Sequence, residues 1–325
     1  MFDLQKKINE SIPFFLKKRH LMEMYSTVIE EYIEQSDTYC VCADLSRHTE
    51  FEGLGKRHPS KIINVGIAEQ NLLGISAGLA SNSNDALVFT QTLASFLLNR
   101  GFDVISQNIC ADNLNVKLLG NSSGLSTGVA GISHWIVNDL GMLKGLGNIT
   151  ILCPSDVFEV AKCVEYAAKI KGPFYIRIPY KFLRRENENS SLKVDETGFY
   201  TWGKGFDNVI ISYGTQTEYC KNIAKQIPGT GVVELYNVNR FNEKKLLKIL
   251  SKAKKVCFVE EHFISGGIGE SIARLILENQ FTCKYRIWGI AELPESEGSY
   301  EFLLKLTGLD ENTLKKQIGE FLCRR

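Results

Sequence analysis

The sequence predicts an α/β protein built from two parallel-sheet domains. Short apolar runs rich in β-branched residues alternate with segments of helical periodicity, which is the pattern of βαβ units and parallel sheets. The chain has 325 residues, enough for two domains of about 150 residues each. A polar stretch at 184–196 almost lacks large apolar side chains and separates the two alternations. We therefore place the first domain at 1–183, a surface linker at 184–196 and the second domain at 197–325.

The first alternation predicts six strands and at least three helices. The strands are expected at 39–43, 62–65, 86–90, 114–119, 149–153 and 174–178. The helices are expected at 20–35, 67–81 and 156–170. The third of these has Ser155 or Asp156 as its N-cap and Gly172-Pro173 as its stop signal.

The second alternation predicts four more strands and three helices. The strands are expected near 208–213, 231–235, 254–260 and 284–288. The helices are expected near 215–226, 243–252 and 266–279. The same alternation in both halves predicts a parallel sheet in each domain.

Composition and charge exclude several classes of partner. The formal net charge is +1 and no Lys/Arg run forms a basic patch, so we expect no nucleic-acid partner. Residues 1–20 contain no apolar segment long enough for a signal peptide or a membrane span. The nine cysteines are odd in number, lack Cys-x-x-Cys spacing and lie mostly in apolar runs, which is typical of a reducing compartment. We expect a cytoplasmic protein that does not associate with membranes.

The most informative segment is 64–71, with the sequence NVGIAEQN. It places Glu69 in the first turn of a helix, directly after a predicted strand, where the positive field of the helix N-terminus favours an acid. In open α/β sheets, ligands bind at the carboxyl ends of the strands, where this turn lies. On spacing alone, an acid that only stabilises its own helix explains Glu69 equally well.

The exact residues of this segment, NVGIAEQN followed by LLGISAGLA, resemble the pyrimidine-binding domain of the transketolase family of thiamine diphosphate enzymes. Further segments carry the same resemblance: ADLS at 43–46, FLLNRGFD at 96–103, NLNVK at 113–117, GLS at 124–126, VEEH at 259–262 and GGIG at 266–269. The resemblance runs from about residue 20 to the end of the chain. It implies a pyrimidine-binding domain followed by a transketolase C-terminal domain, that is, the C-terminal half of a transketolase as a separate polypeptide.

The resemblance implies a catalytic role for Glu69. In the family this glutamate hydrogen-bonds the pyrimidine nitrogen para to the amino group of thiamine diphosphate. The bond shifts the ring toward the imino tautomer, whose nitrogen takes the proton of the thiazolium carbon. The cofactor itself supplies the remaining chemistry.

Three further residues are candidates for the cofactor site. Phe96 matches the family's aromatic residue that packs on the pyrimidine ring, although without the resemblance a core Phe is the simpler interpretation. Leu93 replaces a second aromatic residue three positions earlier, so it offers an apolar wall with less stacking. Asp44 ends a strand and either lines the cofactor cleft or caps the following turn. Arg100 and Asp103 have the i, i+3 spacing of a helical ion pair, and we expect them to be structural.

His134 is the second catalytic candidate. It ends the segment GVAGISH, at the position of a family histidine that hydrogen-bonds the sugar near its reacting carbon. The same region departs from the family in three places. Ala130 replaces an acid that recognises a substrate hydroxyl, Ser122 replaces an active-site His, and Cys153 replaces a phosphate-binding Arg of long transketolases. The resemblance therefore implies the cofactor more strongly than it implies any particular sugar.

The second domain carries a weaker signal at 266–269. A glycine-rich turn that opens a helix offers unpaired backbone N–H groups and is a potential anion site. The spacing and distal acid of a dinucleotide site are missing, so we favour close helix packing. His262, just upstream, is not assigned a catalytic role.

The family's metal motif is missing from this sequence. The family holds the cofactor's diphosphate through Mg²⁺ on a Gly-Asp-Gly motif of another domain, and no Gly-Asp-Gly occurs here. The resemblance therefore implies a separate N-terminal, diphosphate-binding subunit that supplies the Mg²⁺ ligands, with cofactor at the interface of an α₂β₂ heterotetramer and small sugars as substrates.

Three functions remain open. The first is a split transketolase subunit that moves a two-carbon ketol unit from a ketose to an aldehyde. The second is a beta subunit of a 2-oxo acid dehydrogenase, which has similar length and domain order. The third is a catalytically silent assembly partner. The GIAEQN and GLSTG segments favour the first over the second, and Glu69 argues against the third.

Overall fold

The computed structural model describes residues 23–44, 51–182 and 193–323. The strands of the first domain are β1 (Thr38–Cys42), β2 (Ile62–Asn64), β3 (Leu87–Leu93), β4 (Val116–Asn121), β5 (Thr150–Leu152) and β6 (Phe174–Ile178). They form one fully parallel sheet in the order β2-β1-β3-β4-β6-β5. The six predicted strands are confirmed, with ends shifted by no more than a few residues.

Helices cover both faces of this sheet. They are α1 (Glu23–Gln35), α2 (Phe51–Arg57), α3 (Glu69–Asn82), α4 (Ala94–Val104), α5 (Asp139–Lys144) and α6 (Val157–Ala168), and a π-helical turn, Ile105–Cys110, continues α4. Val88 and Leu118 belong to the core that contains α3 and α4. Their strand neighbours Phe89 and Leu119 belong to the core that contains α1 and α6. Alternate strand residues therefore bury on opposite faces, as in a doubly wound sheet.

The second domain is a smaller α/β unit. Its strands are β7 (Phe199–Trp202), β8 (Asn208–Tyr213), β9 (Thr230–Leu235), β10 (Lys255–Phe263) and β11 (Lys284–Ile290). Its helices are α7 (Thr217–Ala224), α8 (Glu243–Leu250), α9 (Ile268–Glu278), α10 (Tyr300–Leu306) and α11 (Glu311–Cys323). The strand order is β11-β10-β8-β9-β7.

The second sheet differs from the prediction at one edge. Strand β7 pairs antiparallel with β9, so this sheet is mixed, whereas β8, β9, β10 and β11 are parallel to their neighbours. The sequence pattern does not predict β7 because the strand has only four residues and exposes Thr201 between two half-buried aromatic residues. The α/β class of both domains is confirmed.

The second domain covers a free edge of the first sheet. Strand β5 is the last strand of that sheet, and its outer side faces residues 236–239. The Cys153 N–H donates to the Tyr236 carbonyl at 2.8 Å, and the Val238 N–H donates to the Ile151 carbonyl at 3.0 Å. Backbone groups that would otherwise remain unpaired at a sheet edge therefore join the two domains.

Some predicted features lie outside the described residues. They are Leu45 and Ser46 of the ADLS segment, residues 20–22 of the first predicted helix, and residues 184–192 of the linker. Among the described residues, each helix is too short or too polar to cross a membrane.

Candidate active site

The loop before α3 is fixed by the side chain of Asn64. Its Oδ1 accepts hydrogen bonds from the N–H groups of Asp44 and Gly66, each at 3.0 Å. This ties the end of β1 to the turn that follows β2. Gly66 has φ of +73°, a conformation that glycine adopts without strain. The NVG sequence thus builds the turn that delivers Glu69 to the carboxyl edge of the sheet.

Glu69 is the first residue of α3 and is 5% exposed. Its neighbour Ile67 is 78% exposed. The Nη1 atom of Arg100 donates to Oε1 of Glu69 at 2.9 Å. The predicted pair of Arg100 with Asp103 is replaced by this longer-range ion pair, because α4 packs beside the first turn of α3.

Two aromatic rings extend this pair. The Arg100 guanidinium carbon lies 3.9 Å from the centre of the Phe96 ring. Phe96 in turn meets His134 edge to face, with ring centres 5.1 Å apart. The structure therefore brings together Glu69, Phe96 and His134, which the sequence singled out. Arg100 joins the first two, and Phe96 contacts the third. We call Glu69, Arg100, Phe96 and His134 the Glu69 cluster.

His134 ends a tightly folded loop. Its ring Nδ1 lies 2.9 Å from the Ser133 hydroxyl. The next residue, Trp135, donates its indole N–H to the Gly128 carbonyl at 3.0 Å. The loop exposes two apolar side chains, Val129 at 76% and Ile132 at 62%. Together with Ile67, they give the surroundings of the Glu69 cluster an exposed apolar character that is typical of an interaction surface.

Residues 297–300 of the second domain hold this loop. A Cβ on Gly128 would lie 2.4 Å from the Gly298 carbonyl oxygen, and one on Gly131 would lie 2.3 Å from a carboxylate oxygen of Glu297. Both glycines also have positive φ, at +41° and +78°. Close approach of the second domain therefore requires the glycines of GVAGISH, and it fixes the loop that carries His134.

Glu261 of the VEEH segment connects the second domain to the loop that begins at Gly124. Its carboxylate accepts hydrogen bonds from the Leu125 N–H at 2.6 Å, the Thr215 hydroxyl at 3.1 Å and the Tyr300 hydroxyl. His262 accepts the Gly141 N–H at Nε2, at 3.2 Å, while its Nδ1 lies 2.7 Å from the Phe263 carbonyl. Burial lowers the pKa of His262. These contacts give VEEH an interdomain, structural role.

The glycine-rich turn of the second domain binds a carboxylate of its own chain. Glu260 accepts the N–H groups of Ile268 at 2.9 Å and Gly269 at 3.2 Å. A Cβ on Gly267 would lie 2.4 Å from the Glu260 carboxylate. Burial raises the pKa of Glu260 to about 7. The expectation of close packing is therefore confirmed, and the N-terminus of α9 is already capped.

Asp44 and Leu93 lie at the same sheet edge but outside the Glu69 cluster. Asp44 is exposed and has φ of +50°, and it contacts Asn64 through its main-chain N–H. Leu93 is half-buried and ends β3 in register with Asn121 of β4. The lining roles predicted for Asp44 and Leu93 remain predictions.

Buried polar atoms at the ends of β3 and β4 are a feature that sequence reasoning missed. Among the described residues, four side chains here have buried atoms without a hydrogen-bond partner: Thr92, Ser95, Asn121 and Ser123. An unpartnered buried polar group costs about 1–3 kcal/mol. A polar group from a ligand or a partner chain can supply the hydrogen bonds that these side chains lack at this edge of the sheet.

The three departures from the family lie in different environments. Ala130 is exposed within the loop that carries His134, and Ser122 is buried with φ of +58° directly after β4. Cys153 is 1% exposed at the junction of the two domains. Burial raises the pKa of its thiol, so it remains a neutral, apolar side chain there.

The Glu69 cluster holds a planar, hydrogen-bonding group between a carboxylate and an aromatic face. The Arg100 guanidinium is itself planar, stacks on Phe96 and donates to Glu69. An aminopyrimidine ring requires the same two contacts, an apolar face to stack on and a carboxyl group in its plane. The Glu69 carboxyl group and the Phe96 face therefore match the two contacts that the pyrimidine half of thiamine diphosphate needs, and in the isolated chain Arg100 makes both.

Two family models match the chain. One, described as "Transketolase, pyrimidine binding domain", covers residues 19–185, and the other, "Transketolase, C-terminal domain", covers residues 202–314. Sequence, fold and site agree on one class of protein. The chain belongs to the transketolase family.

Individual relatives match nearly the whole chain. A Methanocaldococcus jannaschii protein named "Putative transketolase C-terminal section" is 29% identical over 303 residues, which cover 90% of this chain and 93% of the relative. A subunit of the apulose-4-phosphate transketolase of Actinobacillus succinogenes is 32% identical over 260 residues, covering 79% and 83% respectively. A solved structure, "Split gene transketolase, inactive beta4 tetramer", has a TM-score of 0.82 at 26% identity, covering 92% of this chain and 97% of that one. The chain therefore resembles separate transketolase sections and subunits of about its own length.

Proposed function

We propose that this chain is the C-terminal subunit of a two-chain, thiamine diphosphate-dependent transketolase. In the assembled enzyme, a two-carbon ketol unit passes from a ketose donor to an aldehyde or aldose acceptor. The observation that carries the proposal is the Glu69 cluster, in which a buried carboxylate and an aromatic face already hold a planar donor. Two relatives, one named as a C-terminal section and one as a single subunit of a transketolase, support the division into two chains.

Each residue of the cluster has a distinct task in this proposal. Bound thiamine diphosphate supplies a thiazolium carbon that becomes nucleophilic when it loses a proton. Glu69 hydrogen-bonds the pyrimidine ring nitrogen and governs its protonation, and Phe96 stacks against the ring, with Leu93 as a further apolar wall. His134, 5.1 Å from Phe96 between ring centres, hydrogen-bonds the sugar beside the reacting carbon. Arg100 leaves the ring position when the pyrimidine enters.

The diphosphate and Mg²⁺ belong to the partner chain in this proposal. Mg²⁺ needs several oxygen ligands in near-octahedral arrangement beside the phosphates. In the described part of the chain, the one group spaced for a metal is Glu30, Glu34 and His58. Glu30 already binds Arg57 and His58, and α1 packs on the sheet face opposite α3. We therefore assign no Mg²⁺ ligand to this chain.

Calorimetry with thiamine diphosphate and Mg²⁺ tests the shared site. The purified chain alone should bind the cofactor poorly, and addition of the diphosphate-binding subunit should create tight, stoichiometric binding. A Glu69→Gln complex controls for binding that involves the diphosphate alone. Micromolar or tighter binding by the isolated chain would disprove the shared site.

An assembly-only role is the second candidate. The specific observation that favours it is the ion pair with Arg100, which occupies the Glu69 carboxylate. In that case cofactor chemistry in the complex would be independent of Glu69, whereas the proposed transketolase requires it.

A further inference from the structure

The second domain contains a cavity that is separate from the Glu69 cluster. Its volume is about 470 Å³, and it lies between the chain after β7 and the end of α7 with its following turn. All of its lining residues belong to the second domain, and they include Trp202, Lys204, Lys221, Lys225, Ile227 and Val232. Cavities of about 300–1,000 Å³ accommodate small organic ligands.

Glycines shape one wall of this cavity. Gly203 has φ of +98°, and a Cβ on it would lie 3.1 Å from the Thr230 carbonyl oxygen. A Cβ on Gly205 would lie 3.1 Å from the Cα of Gly229. The segments around Gly203 and Gly229 therefore pack backbone against backbone. The part of the cavity wall that they form carries no side chains.

The charges of the cavity are unbalanced. Lys221 is 5% exposed and is neutralised by Glu234, with Nζ 2.6 Å from Oε2. Lys204 and Lys225 line the cavity and are exposed. Within the described parts of the chain, neither forms an ion pair, and no carboxylate lines the cavity. Two cations therefore face the opening without an acidic partner.

The remaining walls are mostly apolar. Ala224, Ile227, Pro228 and Val232 contribute aliphatic surface. Trp202 donates its indole N–H to Glu234 at 2.5 Å, and the Lys221 ammonium lies 3.8 Å from the ring centre. The indole is therefore held in one orientation by the buried ion pair, as a ligand-binding wall requires.

We propose that this cavity binds a small organic anion with a flat apolar body and a phosphate or carboxylate group. The apolar body contacts Trp202, Ile227 and Val232, and the anionic group binds Lys204 and Lys225. Charge-assisted hydrogen bonds from two lysines supply the anion selectivity. The site lies wholly in the second domain, so it is independent of the proposed cofactor site.

Phenyl phosphate is a suitable probe, since it joins a flat apolar ring to a dianion. Titration of the full chain, followed by calorimetry and by tryptophan fluorescence, should give saturable binding of one molecule per chain. The double variant Lys204→Ala/Lys225→Ala should weaken that binding by about tenfold or more, as expected for lost charged hydrogen bonds. The matched control Lys244→Ala/Lys252→Ala removes the same charge from exposed positions of the same domain and should bind like wild type.

Two further measurements test the apolar part of the site. Ala224→Phe fills the cavity from the end of α7 without changing its charge, and it should also weaken phenyl phosphate binding. Inorganic phosphate and phenol should each bind more weakly than phenyl phosphate. No saturable binding, equal losses in the two lysine pairs, or equal binding of inorganic phosphate would each overturn the proposal. A Glu69→Gln chain should bind phenyl phosphate normally, which separates this test from that of the proposed function.

Discussion

Glu69 and Arg100 lie 31 positions apart in the chain, yet their side chains form a 2.9 Å ion pair at the N-terminus of α3. Glu69 is almost fully buried, whereas the Arg100 side chain is 46% exposed and rests on Phe96. One cation thus satisfies both groups that the proposed pyrimidine site uses. In the isolated chain Arg100 therefore occupies both groups, and the proposed function requires Arg100 to leave them when the pyrimidine ring binds.

Arg100→Met should destabilise the isolated chain. The substitution leaves the buried Glu69 carboxylate without its cation, and we expect a loss of about 1–3 kcal/mol in the free energy of unfolding. Arg274→Met is the matched control, because its pair with Glu278 is exposed on both sides and should contribute less than about 0.5 kcal/mol. Urea denaturation measures both values. In a Glu69→Gln background the cost of Arg100→Met should largely disappear, and equal costs in both backgrounds would contradict the pairing.

The junction of the two domains should make stability depend on pH. Ser155 lies within hydrogen-bonding distance of both Glu159 and Glu234, and a hydroxyl has only one proton to donate. Because the two carboxyl groups share one hydroxyl proton, their arrangement favours a proton on one of them. Burial raises the pKa of Glu159 from its ordinary value of 4.5 to about 8.

A raised pKa in the folded state means that folding favours the protonated acid. The contribution of Glu159 to stability is fully present below its ordinary pKa and is lost as pH rises toward about 8. Glu159→Gln should flatten this decline in the free energy of unfolding. Glu165→Gln on the same helix should leave the decline unchanged. Denaturant titrations from about pH 5 to pH 8.5 provide the comparison, and a Glu159→Gln chain with the wild-type slope would rule out the buried proton.

The exposed face of α3 should contact the partner subunit. Gly74 is exposed, and a Cβ on Gly74 or Gly78 would meet no heavy atom within 4 Å. Gly74→Phe should therefore leave folding of the isolated chain intact and should block assembly with the diphosphate-binding subunit. Gly319→Phe on α11 is the control, since a Cβ there also meets nothing within 4 Å. Size-exclusion chromatography of mixed subunits separates the two cases, and normal assembly of Gly74→Phe would exclude this face.

Ordinary pentose phosphates should be poor acceptors for the assembled enzyme. On the family resemblance, Ala130 stands in place of an acid, and the buried Cys153 stands in place of a phosphate-binding Arg. Each substrate hydroxyl left without a protein partner costs about 1–3 kcal/mol, which lowers kcat/KM by about tenfold to a hundredfold. The preferred substrate should be less phosphorylated, deoxygenated or carried on a larger group. Steady-state kinetics with a panel of aldoses decides this, and efficient turnover of pentose phosphates would contradict it.

The sequence predicted ten of the eleven strands, because strand periodicity is a local property. It singled out Glu69, Phe96 and His134 through the family resemblance, and the structure brings these three residues together. The sequence did not predict the partner of Arg100, which depends on how α4 packs against α3. Nor did it predict that Glu260 caps α9, since the turn at 266–269 offers open N–H groups until the neighbouring carboxylate is placed. Strand β7 escaped prediction because its four residues carry too short an apolar pattern. In each of these cases the missing information is which elements contact one another in the folded chain.

The most direct test of the central proposal is hydrogen–deuterium exchange at the thiazolium carbon of thiamine diphosphate in the assembled complex. Glu69→Gln keeps the size and a hydrogen bond but removes the ionisable carboxyl group. Exchange should slow by about 10²–10⁴-fold, the usual contribution of general acid–base assistance. Glu278→Gln, an exposed surface change, should exchange like wild type. If the Glu69→Gln complex exchanges as fast as wild type, Glu69 is not catalytic and the assembly-only role replaces the proposed one.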